Sequence, residues 1–280
     1  MKLKEYIQEL KSELAQIFQE REAENHLGIL LQHFFGLSRV DRVLRAEEEV
    51  GASKLDELDK VLAELRKEKP IDYVLNESIF WGYPFYVDER VLIPRSETEE
   101  LVMLVLEHEK EENISIFDIG TGSGCIPIAL GMERAYAQID ACDVSKPALE
   151  VAQKNAEKHQ VEVRFFEMDI LTDLPEHPYD VVVSNPPYVK EEEIASLQKR
   201  VNEYEPIIAL TPHGDPLKFY KHMINQTKYL LKKGGRFYWE IHEDLGPEVI
   251  ELFANRNFDQ IDLIEDMYGR NRMVKARWLG

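Results

Sequence analysis

The chain has 280 residues, of which 44% are hydrophobic and 31% are charged, the balance of an ordinary globular protein with about two domains. No run of ~18 apolar residues occurs, and the N-terminus lacks the apolar segment of a signal peptide, so we expect a cytoplasmic protein without membrane partners. The net charge of −19 repels phosphate backbones, which argues against direct binding of nucleic acid.

The chain contains two cysteines, Cys125 and Cys142, which fit a reducing compartment better than a disulfide framework. The eight histidines are scattered, and neither a Cys-x-x-Cys nor a His-Glu-x-x-His spacing occurs. We therefore expect no metal site.

Residues 1–69 contain only helical patterns, with leucines repeated at helical spacing. Gly36 is suited to end one helix, and Ser38 is suited to begin the next, short one. The pattern predicts a small helical bundle that ends before Pro70. Such a bundle serves either as a packing appendage or as a domain that recognises a partner.

Residues 70–95 change to aromatic and β-branched side chains. The segments 80–87 and 91–94 have strand-like composition, and three charged residues at 88–90 separate them. This pattern predicts a β-hairpin that links two domains.

Residues 96–280 alternate between strand and helix patterns, which predicts a doubly wound, largely parallel α/β sheet with helices on both faces. The last two strands are adjacent in sequence, so they are suited to antiparallel pairing. The predicted strands are Ile114–Ile119, Gln138–Cys142, Val161–Phe166, Val181–Val183, Gly235–Ile241, Asp259–Ile264 and Met273–Arg277. The predicted helices include Glu97–Glu109, Lys146–His159, Pro216–Lys232 and Pro247–Asn255.

A glycine-rich turn follows the first of these strands, where sheets of this kind bind ligands. A dinucleotide fingerprint counted from Gly120 would need glycine at position 125, but the chain has Cys125. The Gly-x-Gly-x-Gly spacing better suits a ligand with an amino-acid moiety, such as the methionine part of S-adenosylmethionine. The candidate cofactor-binding residues here are Asp118, Gly120, Thr121, Gly122, Ser123 and Gly124.

Two further acids follow the next two predicted strands. Asp143 is suited to accept hydrogen bonds from both ribose hydroxyls, and Asp169 from the adenine amino group. Ile170 is suited to flank the adenine ring. Acids at three consecutive strand ends favour S-adenosylmethionine as the cofactor.

The fourth strand is followed by Asn185-Pro186-Pro187-Tyr188. An amide or aromatic amine nitrogen is a poor nucleophile, because its lone pair is delocalised, so catalysis must orient that lone pair toward the sulfonium methyl group. The Asn185 side-chain carbonyl and the Pro186 main-chain carbonyl are suited to accept the two N–H bonds. Tyr188 is suited to stack on the planar group. The motif fits glutamine and adenine equally, because both offer a planar NH₂ group.

Together, these motifs resemble the bacterial release-factor glutamine methyltransferases, the PrmC/HemK family, over nearly the whole chain. Leu92-Ile-Pro-Arg-Ser-Glu-Thr-Glu99 resembles that family's Ile-Pro-Arg-x-(Glu/Asp)-Thr signature. The segments 204–217 and 266–272 resemble two more of its motifs, with Ser96, His213 and Pro216 as departures in loops.

The resemblance implies a class I methyltransferase sheet of seven strands at 96–280, behind a substrate-recognition bundle at 1–69 and a hairpin linker at 70–95. It implies that the substrate is the glutamine of the Gly-Gly-Gln motif in peptide-chain release factors, methylated at N5 with S-adenosylhomocysteine as the other product. Asn185 would contact the cofactor as well as the glutamine, and Pro186 to Tyr188 would surround the glutamine. Arg95, Glu97 and Thr98 would line the mouth of the site.

Three other functions remain open on the residues alone. The same site could methylate a glutamine of a ribosomal protein, or the N6 amino group of adenine in nucleic acid, although the latter needs a basic groove and room for a flipped base. A non-catalytic binding module is the third alternative, which the intact Asn185–Tyr188 motif argues against.

Overall fold

The structure is a computed structural model that describes residues 2–111 and 113–280, except for the side chains of residues 52 and 53. The chain divides into two compact units, Met1–Leu75 and Asn76–Gly280. Across the described residues, no helix combines the length and the apolar character needed to cross a membrane.

The first unit is helical, as its sequence pattern predicts. The buried leucines Leu10, Leu14, Leu30 and Leu31 form its core. Gly36 ends the second helix in the left-handed conformation, and the Ser38 hydroxyl accepts a hydrogen bond from the backbone N–H three residues later, so both predicted caps are confirmed. The helices are α1 Leu3–Ile17, α2 Glu20–Phe35, α3 Arg39–Leu44, α4 Ala52–Leu65 and α5 Ile71–Leu75.

A β-hairpin opens the second unit, but its strands differ from the predicted ones. Strand β1 (Ser78–Phe80) pairs antiparallel with β2 (Tyr83–Phe85), and Trp81 and Gly82 form the turn with φ of 54° and 75°. Positive φ at both central residues is typical of the type I′ turn, one of the two common two-residue hairpin turns. The predicted pairing of segments 80–87 and 91–94 is therefore wrong.

The charged residues at 88–90 form a side-chain-stabilised turn instead of a strand connection. The Asp88 carboxylate accepts hydrogen bonds from the Arg90 backbone N–H and from its guanidinium group. Such local bonds compete with strand pairing.

The hairpin packs against the sheet domain through two aromatic side chains. Phe80 and Phe85 are fully buried, and they belong to the same core as helix residues Leu101 and Val105.

Within the described residues, a seven-stranded sheet forms the centre of the second unit, in the order β5-β4-β3-β6-β7-β9-β8. Strands β3 to β7 are parallel, and β9 pairs antiparallel with β8, as the sequence predicts. Strand β9 also pairs antiparallel with β7, which the sequence pattern does not indicate. The strands are β3 Ser115–Ile119, β4 Gln138–Asp143, β5 Arg164–Glu167, β6 Tyr179–Ser184, β7 Leu231–Glu240, β8 Phe258–Glu265 and β9 Asn271–Trp278.

Each face of this sheet carries its own hydrophobic core, because successive strand residues point to opposite faces. Ile116, Val181 and Val183 belong to one core. Phe117 and Val182, one residue away along the same strands, belong to the other. The central strands are thus apolar on both faces, as expected for buried parallel strands.

Helices cover both faces of the sheet. They are α6 Ser96–His108, α7 Cys125–Glu133, α8 Lys146–His159, α9 Glu191–Ile194, α10 Lys199–Tyr204, α11 Ile207–Leu210, α12 Lys218–Asn225, α13 Thr227–Leu230, the 3₁₀ helix Glu243–Leu245 and α14 Gly246–Glu251. The single helix predicted at 216–232 is wrong, because Gln226 leaves the helical conformation and the Thr227 hydroxyl donates to the Ile224 carbonyl. Strand β7 then begins at Leu231.

The order of the sheet determines where a ligand can bind. The chain runs outward from β3 to β4 and β5, and then returns to the other side of β3 as β6. Ligands of open α/β sheets bind beyond the carboxyl ends of the strands at such a reversal. The glycine-rich turn follows β3 and the Asn185 segment follows β6, so the two motifs meet at this point.

Candidate active site

A cleft of about 300 Å³ lies beyond the carboxyl ends of β3 to β6, a size typical of small-molecule sites. Most residues predicted to bind a cofactor line it: Gly120, Thr121, Gly122, Ser123, Asp143, Asp169, Ile170 and Asn185. Pro186, Pro187 and Arg95 line it as well. Gly124, Asp118, Glu97 and Tyr188 do not belong to its wall.

The glycine loop wraps around the end of β4. The backbone N–H groups of Gly120 and Thr121 both donate to the Cys142 carbonyl, at 2.9 and 3.0 Å. Gly124 has a φ of 79°, and a Cβ there would lie 3.1 Å from the Cβ of Ala152. Glycine at position 124 therefore lets α7 approach α8 closely. By contrast, a Cβ at Gly120 or Gly122 would meet no heavy atom within 4 Å, so the loop faces open space.

Asp118 is fully buried beneath this loop. Neither of its carboxylate oxygens has a hydrogen-bond partner among the described residues, although the Thr121 hydroxyl lies beside it. Burial raises the pKa of Asp118 to about 7, and the nearby Asp143 carboxylate adds to the rise while Thr121 opposes it. The loop thus covers a carboxyl group that a cationic ligand above it would stabilise in its ionised form.

Asp143 ends β4 and joins two sides of the cleft. One of its oxygens accepts from the Gly122 N–H at 2.9 Å, and the other accepts from the Ser145 N–H at 2.8 Å. Burial raises the pKa of Asp143, whereas these backbone donors oppose the rise. A carboxylate has about four acceptor positions, so the two oxygens can still accept hydrogen bonds from a ligand.

Asp169 and Ile170 follow β5 on the far side of the cleft. The Asp169 carboxylate accepts from the Leu171 N–H at 3.0 Å, and Ile170 is buried. Asp169 stands two residues beyond the end of β5, because that strand ends at Glu167 rather than at the predicted Phe166.

Cys125 and Cys142 also line the cleft, as free thiols. Burial raises the pKa of Cys125 to about 12 and raises the pKa of Cys142 as well. Both side chains are therefore protonated at neutral pH, and neither is an activated nucleophile.

Asn185 follows β6 and is held by a buried chain of hydrogen bonds. Its Nδ2 donates to the Thr98 hydroxyl at 3.1 Å, and that hydroxyl donates to Glu240 Oε2 at 2.7 Å. The Tyr188 hydroxyl donates to Glu240 Oε1 at 2.9 Å. Asn185 Oδ1 and the Pro186 carbonyl accept no hydrogen bond from the described residues. Two residues that line the cleft thus each have a carbonyl oxygen without a hydrogen bond from the described residues.

Tyr188 and Arg95 have partners that the sequence pattern does not reveal. Besides its bond to Glu240, the Tyr188 ring contacts His242 edge-on, with 6.0 Å between ring centroids. Arg95 Nη2 donates to both oxygens of the buried Glu205, at 2.6 and 2.7 Å. This ion pair holds the segment after α10 against the rim of the cleft.

Sequence reasoning missed two residues of the site, Glu240 and Asn155. The buried Asn155 amide donates to the Ser123 carbonyl and exchanges two hydrogen bonds with the backbone of Tyr86, so it fixes the back of the glycine loop. Glu240 carries a weak signal, as an acid at the end of an apolar strand. Asn155 carries none, because it lies on an ordinary amphipathic helix.

One group of metal-ligand side chains occurs within the part of the chain that the structure describes: Glu193, His242 and Asp244. The two ring nitrogens of His242 already contact Glu193 Oε2 at 3.1 Å and the Asp244 N–H at 3.2 Å. The absence of a metal site stays a prediction.

Comparisons with known proteins agree with this geometry. Residues 98–214 match the family model of the methyltransferase small domain, and residues 5–75 match that of the PrmC N-terminal domain. A release factor glutamine methyltransferase from Flavobacterium psychrophilum is 41% identical, and the alignment covers 99% of this chain and 100% of the relative. The protein of the same name from Bacteroides thetaiotaomicron is 34% identical, with coverage of 95% and 97%.

Among solved structures, a methyltransferase from Pyrococcus furiosus superimposes with a TM-score of 0.53. The superposition covers 82% of this chain and 100% of that chain, at 15% sequence identity. This likeness confirms the predicted methyltransferase fold.

Proposed function

Because this chain belongs to the release factor glutamine methyltransferase family, we propose that it methylates the N5 amide nitrogen of the Gly-Gly-Gln glutamine in peptide-chain release factors. Its role would then lie in translation termination. The observation that carries the proposal is that Asn185 and Pro186 line the cleft at the end of β6 and that Asn185 Oδ1 and the Pro186 carbonyl accept no hydrogen bond from the described residues. Two acceptors at this point match the two N–H bonds of a primary amide.

The cofactor of this reaction would be S-adenosylmethionine, which supplies an electrophilic methyl group on a sulfonium centre. The glycine loop from Gly120 to Gly124 would hold its amino-acid part, and the acid Asp118 below the loop favours a cationic group above it. Asp143 would accept from the ribose hydroxyls. Asp169 and Ile170 would hold the adenine. The orphaned buried carboxylate and the open space above the glycines support this assignment.

The chain's contribution to the chemistry is orientation. Asn185 Oδ1 and the Pro186 carbonyl would accept both N–H bonds of the glutamine amide, which aims the nitrogen lone pair at the methyl group. Such alignment is worth up to ~7–11 kcal/mol of the barrier. The same two oxygens stabilise the positive charge that develops on nitrogen. No strong base is required, because the methylated nitrogen becomes acidic and releases its proton readily.

The domains would divide the work. Residues 1–69 would recognise the release factor, residues 70–95 would link the two parts, and residues 96–280 would carry the transferase site. The first unit supports this by exposing Val40, Val43 and Leu44 on the short helix α3, at 65%, 77% and 77%. Clustered exposed apolar side chains are typical of protein contact surfaces.

The direct test is intact-mass analysis of a purified release factor after incubation with the protein and S-adenosylmethionine. We expect a gain of one methyl group, and no gain when the Gly-Gly-Gln glutamine is replaced by alanine. A gain that survives this replacement would reject the proposed acceptor. If no gain occurs although the cofactor binds, ribosomal proteins and then adenine-containing oligonucleotides become the acceptors to assay.

The cofactor assignment has its own test. Replacing Asp143 with alanine removes a charged acceptor, so we expect S-adenosylmethionine affinity to fall by about 1.5–3 kcal/mol, measured by calorimetry. Asp56→Ala, which removes an exposed acid from α4, is the matched control and should leave the affinity unchanged. An unchanged affinity in Asp143→Ala would reject the ribose role.

A further inference from the structure

We propose that Glu240 is a positioning residue for methyl transfer, which sets the rotation of the Asn185 amide through the Thr98 hydroxyl. This inference rests on the proposed function, since it concerns the orientation of the substrate amide. Glu240 ends β7 and is 1% exposed. No motif of the sequence assigns it a role, and its carboxylate does not line the cleft.

The three residues form a relay from the core to the cleft. Glu240 Oε2 accepts from Thr98 Oγ1 at 2.7 Å, and Thr98 Oγ1 accepts from Asn185 Nδ2 at 3.1 Å. Thr98 is buried on the first turn of α6, and Asn185 is half-buried at the end of β6. Residues from three elements thus converge on one hydroxyl group.

Hydrogen-bond chemistry determines which group donates at each step of this relay. An ionised carboxylate only accepts, and a threonine hydroxyl has a single proton to donate. Glu240 takes that proton, so the Thr98 oxygen presents only lone pairs to Asn185. The asparagine amide must then turn its NH₂ group toward Thr98. If it rotated by about half a turn, its carbonyl oxygen would face an oxygen without a proton, and no hydrogen bond would form.

The consequence for the site is that Asn185 Oδ1 is the amide atom left to face the cleft. An acceptor is what an incoming glutamine N–H bond needs, whereas the alternative rotamer would offer a donor and repel it. Glu240 also accepts from the Tyr188 hydroxyl at 2.9 Å. One carboxylate therefore anchors the first and the last residue of the Asn185–Tyr188 motif.

Three contacts of Glu240 favour its ionised form over the protonated one. Burial raises the pKa of Glu240, but the hydrogen bonds from Thr98 and Tyr188 and the Arg272 guanidinium oppose the rise, while Glu97 adds to it. Arg272 is itself held by Asp266 at 3.2 Å. The Tyr220 hydroxyl donates to the Glu240 backbone carbonyl at 2.8 Å, which fixes the end of the strand.

The first test reads the Asn185 amide directly and does not depend on the substrate. In ¹⁵N-asparagine-labelled protein, we expect the Asn185 side-chain NH₂ protons, assigned by their loss in Asn185→Ala, to exchange slowly with water. Thr98→Ser keeps the hydroxyl and should preserve this protection, whereas the isosteric Thr98→Val should abolish it. Slow exchange in Thr98→Val would overturn the relay.

The second test measures methyl transfer to the release factor. For Thr98→Val we expect kcat to fall by about 10- to 100-fold, while KM for the release factor and cofactor affinity change little, because orientation and not binding is lost. Thr98→Ser should restore most of kcat. Glu240→Ala, checked for folding by its unfolding midpoint, leaves the Thr98 hydroxyl free to donate to or accept from the Asn185 amide. We therefore expect kcat and amide protection to fall in this variant, but less than in Thr98→Val, and parent-like kcat would reject the role of Glu240.

The two tests separate the two ideas. A parent protein that leaves the release factor unmethylated but shows the protected amide would reject the proposed function and retain the relay. Equal kcat in the parent and in Thr98→Val would reject the positioning role, whatever the exchange data show.

Discussion

In the proposed mechanism Asn185 orients the substrate amide, and three local constraints act on its side chain. It directly follows a strand that is apolar on both faces, Pro186 follows it, and its NH₂ group is held by Thr98. The side chain therefore keeps one orientation at the edge of the cleft. Proline at 186 and 187 removes backbone donors that would compete for the carbonyl oxygens.

In the proposed mechanism, replacing Asn185 with alanine removes one of the two acceptors for the substrate amide. We expect methyl transfer to fall by at least about 100-fold, the effect of deleting one preorganised hydrogen-bonding group, with cofactor affinity largely intact. Rates come from the mass assay, and affinity from calorimetry. Asn202→Ala, at an exposed amide on α10, serves as the control. Near-parent turnover in Asn185→Ala would contradict the mechanism.

The buried carboxyl group of Asp118 should make the free energy of unfolding depend on pH. Burial raises its pKa from 3.8 to about 7, so the folded state binds its proton more tightly than the unfolded state does. Below about pH 4 both states are protonated and Asp118 has no effect, whereas its destabilising effect grows as pH rises from about 4 to about 7, where only the folded state keeps the proton. Above about pH 7 both states are ionised, and the loss of stability levels off.

The variant Asp118→Asn cannot ionise at this position. We expect the difference between its free energy of unfolding and that of the parent protein to increase, in favour of the variant, from about pH 4 to about pH 7 and to level off above that, as measured by urea denaturation. Asp56→Asn, at an exposed position, should show a nearly constant difference. A constant difference for Asp118→Asn would mean that the buried carboxyl group titrates normally.

At the scale of elements, the glycine loop joins β3 to α7 and brings α7 against α8. Two features favour glycine at position 124. Its φ is 79°, in the left-handed region, and a Cβ would lie 3.1 Å from side-chain atoms of Ala152 and Ile128. The Asn155 amide of α8 holds the neighbouring Ser123 carbonyl from behind. The shape of the loop thus depends on the helices that flank it.

For Gly124→Ala we expect a loss of about 1–2 kcal/mol from the left-handed backbone conformation, with further loss from the contact with Ala152. Chemical denaturation measures the total loss of stability. Cofactor affinity should fall as well, because the loop is distorted. Gly51→Ala is the matched control, since Gly51 has a φ of −72° and open space around it. Equal stability of Gly124→Ala and Gly51→Ala would show that the loop tolerates a side chain.

At the scale of the whole molecule, net charge distinguishes protein substrates from nucleic-acid substrates. The chain carries 53 acidic and 34 basic side chains, and a net charge of −19 opposes the approach of a phosphate backbone. Nonspecific binding of duplex DNA depends on basic side chains that displace counterions.

We therefore expect no binding of a fluorescent DNA duplex in physiological salt, measured by fluorescence anisotropy at protein concentrations up to about 100 µM. This limit is the weak end of the usual range for nonspecific DNA binding. A release factor assayed under the same conditions should accept methyl groups. Salt-sensitive duplex binding in the micromolar range would contradict this and favour the adenine alternative.

Local sequence patterns by themselves determined much of the fold of this protein. Alternating strand and helix signals predict the seven strands and the doubly wound sheet, because each element needs only its own periodicity and turn residues. The glycine loop and the Asn185–Tyr188 segment are each one continuous stretch of sequence, so their residue types alone predict a ligand-binding role for each. The Gly36 and Ser38 caps are equally local, and the structure confirms both.

Tertiary structure decided what depends on distant partners. Strand pairing at the hairpin follows from the Trp81-Gly82 turn and from the burial of Phe80 and Phe85, which composition alone assigned to longer segments. Glu240 meets Thr98 across 142 residues of sequence, and Asn155 meets Tyr86 across 69. Contacts of this kind arise only when the sheet brings strand ends and helix termini together, and they orient the side chains that the local motifs supply.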